Sequence, residues 1–75
     1  MNAQGRKEIA KYIASLEDIK DKLESMKDDE EEKFDNMPEG LQDSERGEAM
    51  QESIESLETA CDSLEEAIDS LNEIS

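Results

Sequence analysis

A chain of 75 residues with 23 acidic and 8 basic side chains carries a net charge of -15, so it has room for one small domain and repels other polyanions. Direct binding of nucleic acid or of an anionic membrane is therefore not expected. With no histidine and a single cysteine, neither an internal disulfide nor a zinc cluster can be built, and a core this small supplies only ~3–5 kcal/mol by itself.

Met1 to Gly5 reads as a short lead-in, with Asn2 placed to cap a helix that begins near Ala3. From Arg6 the apolar residues fall into two rows seven apart. Ile9, Leu16 and Leu23 make one, and Tyr12, Ile19 and Met26 make the other. The alternating steps of three and four are the a/d pattern of a helix that packs along a seam, and Ile13 widens the stripe. Phe34 continues the column that runs through Ile13, Lys20 and Lys27. The helix is expected over about 3–35. Its last turns carry the acidic run Asp28 to Glu32, which opposes the helix dipole there and predicts looser packing.

Asn36-Met37-Pro38-Glu39-Gly40 breaks the helix. Proline disfavours helix at the residue before it, and Gly40 permits a left-handed backbone. The connector is expected over about 36–43. Ser44 is a fitting N-cap for a second helix over about 44–74, with Glu45 and Glu48 suited to its positive end. Gly47, so close behind the cap, is a weak helix former.

The second helix has the clearest pattern in the chain. Met50, Leu57, Leu64 and Leu71 form one row, and Ile54, Cys61 and Ile68 the other. Ala60, Ala67 and Ile74 broaden it. Charge divides along the chain: residues 1–27 hold six bases and five acids, net +1, whereas residues 28–75 carry -16. No basic residue follows Arg46.

Two long helices joined by so short a connector lie antiparallel. The expected fold is all-α: one domain, residues 1–75, an antiparallel two-helix hairpin with coiled-coil heptads. Stripes too broad for a single neighbour imply a homodimer of hairpins closing into a four-helix bundle. The near-neutral first helix would then lie between acidic second helices.

Sites that carry chemistry are sparse. Cys61 stands on the apolar row and has no histidine to activate it, so it reads as a small core residue. Asp28, Glu30, Glu32, Asn36 and Glu39 have the outline of a calcium loop, but Lys33 stands where that loop needs glycine and Pro38 intrudes. No metal or cofactor is expected. Carboxylates are abundant but none is selectively desolvated, so no acid/base pair stands out and no enzymatic activity is expected. No apolar run is long enough to span a membrane and no signal-peptide pattern follows Met1, which with one unpaired thiol predicts a cytoplasmic protein.

The acids Glu55, Glu58, Asp62, Glu65, Glu66 and Asp69 have two readings. They keep the helix soluble and pair with lysines of the first helix. Alternatively, they imitate the closely spaced phosphates of duplex DNA and occupy the groove of a basic nucleic-acid-binding protein.

The connector Asp35-Asn36-Met37-Pro38-Glu39-Gly40-Leu41-Gln42-Asp43-Ser44-Glu45-Arg46, followed by an acidic Leu/Ile/Ala helix, resembles that of small acidic helical-hairpin proteins from phages and prophages of Gram-positive bacteria. The likeness covers almost the whole chain. It implies a helical hairpin in the host cytoplasm and supplies no activity. The expected function is a non-enzymatic, self-associating interaction module. The alternative is a DNA-mimic inhibitor of a host nucleic-acid-binding or defence enzyme.

Overall fold

The computed structural model describes residues 1–75 as two long helices folded back on each other. Helix α1 spans Ala3–Asp35, a four-residue helix α2 spans Glu39–Gln42, and helix α3 spans Glu45–Asn72. α1 starts where its cap predicts: the Asn2 side chain accepts a hydrogen bond from the Gly5 N–H at 2.8 Å. The acidic run stays helical. α1 ends at Asn36, where the Asn36 N–H turns back to the Glu32 carbonyl at 3.0 Å and the Met37 N–H to the Phe34 carbonyl at 3.1 Å.

The connector is more ordered than its sequence implies. Pro38 offers its carbonyl to the N–H groups of Leu41 and Gln42, at 2.8 and 3.2 Å, which winds α2 as a single turn. Gly40 lies inside that turn and has no positive φ, so the left-handed bend expected of it is not used. Gln42 is the clasp. Its amide donates to the carbonyl of Phe34 at 3.1 Å, which also takes the Met37 N–H, and to that of Met37 at 3.2 Å, tying the end of α1 to the connector. Gln42→Ala removes both bonds and should cost about 1–2 kcal/mol, read as a lowered midpoint in urea unfolding with an unchanged slope.

α3 starts at Glu45, with the Ser44 hydroxyl accepting from the Gly47 N–H at 3.3 Å while donating to the Leu41 carbonyl. It ends at Asn72, two residues short of the expected end, and Glu73 and Ile74 form a closing turn. Gly47 is buried, because α3 passes directly against the carbonyls of Leu41 and Gln42 there.

The two helices pack along their length, and the hairpin is a rod of 58 × 14 × 12 Å. Its radius of gyration is 17.1 Å, against about 11 Å for a compact domain of this length. The buried core sits at the open end of the hairpin, where Ile9, Ile13 and Ile68 meet and Leu16 and Leu71 pack around them. Cys61 is buried midway, with its thiol facing the Lys20 carbonyl at 3.9 Å.

One expectation for α1 differs from its packing in the single chain. Ile9, Leu16 and Leu23 face α3 as expected, but the second row that faces α3 is Ile13, Lys20, Lys27 and Phe34, all buried or half-buried. Tyr12, Ile19 and Met26, expected on the seam, stand outside it at 60, 47 and 58% exposure. The reason lies in the side chains. Lysine covers apolar surface with its methylene stem and still carries its ammonium to the rim, and acids are at hand there to receive it. Ile13 needs no polar partner, whereas a buried tyrosine hydroxyl would.

Candidate interaction surface

Stepping around each helix at ~100° per residue shows how charge is distributed. From Glu48 onward α3 has nine acids: Glu48, Glu52, Glu55, Glu58, Asp62, Glu65, Glu66, Asp69 and Glu73. All nine fall within an arc of ~140° on one flank of the seam. The opposite flank of α3 carries Ala49, Ser53, Ser56, Ala60, Ser63, Ala67 and Ser70, without a charge.

α1 is sided in the same sense. Glu17, Asp21, Glu24, Asp28 and Glu31 lie on one flank. The other carries Tyr12, Ile19 and Met26 with Glu8 and Glu30 among them, and just beyond them Lys11, Lys22 and Lys33 interspersed with Asp18 and Asp29. Steps of eleven residues drift only ~20° over three helical turns, so these lysines form a nearly straight row.

The hairpin puts like flanks together. A depression between the helices is lined by Met26, Asp29, Glu30 and Lys33 from α1 and by Ser53, Ser56 and Leu57 from α3, which joins the flank of α1 that carries Met26 to the uncharged flank of α3. Lys20 reaches out on the opposite side, where it is bonded to Glu65 across the helices and lies 3.7 Å from Glu24. Lys27 is 3.8 Å from Glu31 on that side. The rod therefore has an acidic face and, behind it, a face of exposed apolar residues edged by lysines. On that second face Lys22 is 2.9 Å from Asp18, while Lys11 and Lys33 take part in no ion pair.

The expected packing residues of α3 are placed as follows. Cys61 and Ile68 are buried, and Met50, Ile54, Leu57, Leu64 and Leu71 are half-buried, with Leu57, Leu64 and Leu71 on the side of the seam nearer the second face and Ile54 on the side nearer the acids. The six candidate acids Glu55, Glu58, Asp62, Glu65, Glu66 and Asp69 are all exposed, and Glu65 alone is engaged by a base of α1. Sequence reading missed the lysine row and the charge-free flank of α3. Both are legible once residues are placed at helical angles rather than tested only for apolar spacing.

The bond to Glu65 raises the Lys20 ammonium above its ordinary value of 10.5, aided by the charges of Glu65, Glu24 and Asp21, while partial burial pulls the other way. A raised lysine contributes stability in full below its unfolded value and loses it as pH climbs through the folded one. Thermal midpoints measured above about pH 10.5 should fall, and Lys20→Met should flatten that alkaline slope.

No group of three or more Asp, Glu or Cys side chains converges to hold a metal ion, and Cys61 is a free, buried thiol. The outline of a calcium loop at Asp28 to Glu39 is instead the last turns of α1 and the start of α2. No helix is long and apolar enough to cross a membrane. Comparison with known proteins gives no match to a family model, a curated protein or a solved structure.

Proposed function

We propose that this chain is a non-enzymatic, acidic protein–protein interaction module that associates with itself, two hairpins closing into a four-helix bundle. The observation that carries this reading is the exposed row Tyr12, Ile19 and Met26, set beside the outer edges of Leu57 and Leu64 on one face of the rod. A row of large apolar side chains at a seven-residue interval is the pattern by which one helix meets another. Surface area supports it. The hairpin exposes 5562 Å², roughly 900 Å² more than the ~4,650 Å² of a compact monomer of its mass. Sedimentation equilibrium at micromolar concentration and physiological salt should return twice the chain mass of 8.5 kDa. A single-chain mass throughout that range would remove the proposal. The connector resemblance favours a setting in a phage or prophage of a Gram-positive bacterium, with the module acting in the host cytoplasm.

A second reading is favoured by the one-sidedness of the acids. Nine carboxylates on one flank of a straight helix offer a basic groove a charged rod, so the module would act as a DNA mimic against a host nucleic-acid-binding or defence enzyme. Replacing Glu55, Asp62, Glu66 and Asp69 with lysine leaves the seam untouched. The exchange should abolish capture of such an enzyme, and wild-type binding should weaken steeply with added salt. Capture that survives both changes would eliminate mimicry.

A further inference from the structure

Two hairpins can close face to face in two ways. With the twofold axis along the helices, α1 of each copy packs on α3 of the other and both connectors lie at the same end. With the axis across the helices, α1 packs on α1, α3 on α3, and the connectors lie at opposite ends. We infer that the second copy binds with its axis along the helices, so that Tyr12, Ile19 and Met26 of each chain seat on the serine and alanine flank of the other chain's α3. This inference rests on the self-association proposed above and fixes its geometry.

Shape favours this arrangement. Met26 lies beside Ser53 and Ser56 in the hairpin. Antiparallel steps of seven then set Ile19 level with Ser63 and Tyr12 level with Ser70, each beside Ala60 or Ala67. An axis along the helices preserves these heights between copies. Every large residue of one chain thus meets a small pair on the other, which lets the helices approach closely and interdigitate. The alternative sets large against large on one side and small against small on the other, leaving the α3 pair underfilled.

Charge decides in the same direction. Lys11, Lys22 and Lys33, with Asp18 and Asp29 among them, give the edge just outside the apolar row a net charge of +1, and Glu52 and Glu66 lie just outside the uncharged flank of α3. Packing α1 on the other copy's α3 brings these two edges together. Lys33, which borders Met50 and Arg46, comes level with Glu48 and Glu52 of the second copy. The crossed arrangement would set the acid edge of one α3 against that of the other, and like charges so placed repel.

The area suffices as well. The broad face of the rod measures 58 by 14 Å, so pairing would cover on the order of 800 Å² per copy, the size of an ordinary stable interface.

The test places a spin label at Gly40→Cys, where an added side chain meets nothing within 4 Å, in a chain whose buried thiol is removed as Cys61→Ala. Helix content by far-ultraviolet dichroism confirms folding. Cys61→Val, which keeps the site filled, is the second background should alanine leave it too loose. Electron dipolar spectroscopy should give a separation under about 30 Å, since packed helix axes lie ~10 Å apart. A separation near the 58 Å length of the rod overturns this arrangement while leaving self-association standing. A single-chain mass with no dipolar signal overturns both.

Discussion

Ile68→Ala is expected to unfold the hairpin at room temperature when the protein is dilute. Ile68 is the least exposed apolar side chain, at 5%, and it is the α3 member of the three-isoleucine cluster with Ile9 and Ile13. Replacing a buried isoleucine with alanine removes its transfer free energy and leaves a cavity, a loss of about 2–5 kcal/mol. A chain of this size has ~3–5 kcal/mol of intrinsic stability, so the change takes most or all of it. Glu17→Ala on α1 is the control, since Glu17 is exposed on the acidic flank, away from both the seam with α3 and the apolar row. The measurement is helix content against temperature at low micromolar concentration. Retention of more than half the wild-type helicity at 25 °C by Ile68→Ala would show that the core lies elsewhere.

Gly47→Ala should destabilise the chain, although helix propensity alone argues for the opposite. Alanine is better than glycine inside a helix by ~1 kcal/mol. Here an added Cβ would collide with the Gln42 carbonyl, stand 2.6 Å from its carbon and 2.7 Å from the Leu41 carbonyl oxygen. These are backbone atoms of the connector, held by α2 on one side and by the Ser44 cap on the other, so they cannot swing aside as a side-chain tip does. Overpacking of this kind costs about 1–3 kcal/mol or more, which outweighs the propensity gain. The sign of the change is the test. A rise in the urea midpoint would mean that the connector yields, and a fall would mean that α3 is pinned against it at this point.

Much of the fold could be read from the residues, and the parts that could not share a cause. Both long helices, the Asn2 and Ser44 caps and the α3 seam follow from spacing and cap chemistry, which are local. The choice between Tyr12 and Ile13 for the α1 seam is not local. Apolar counting treats Lys20 and Lys27 as solvent-facing, yet their stems half-bury against α3 because Glu65 and Glu31 receive their charges. The seam thus rotated toward the lysine column and left the aromatic row outside. Gln42 was illegible for a similar reason: a glutamine in a loop has no local partner, and its acceptors at Phe34 and Met37 come into reach only after the chain reverses. Gly47 looked like a weakness in the helix because propensity weighs a residue alone, whereas its burial depends on the carbonyls that pass beside it. The one-sided charge was available throughout, since it needs only the angle of each residue on its helix.

The position of the three-isoleucine cluster also bears on how quickly the chain folds. A hairpin ordinarily zips from its bend, each new contact repaying a short closure. Here the richest apolar contact joins Ile13 to Ile68, at the far end of the rod from α2. A chain zipping from the bend must order most of both helices, through stretches where lysine and glutamate line the seam, before that reward arrives. The rate-limiting species should therefore be nearly as ordered as the product. Substitutions at the bend would slow refolding, and those among the isoleucines would chiefly hasten unfolding.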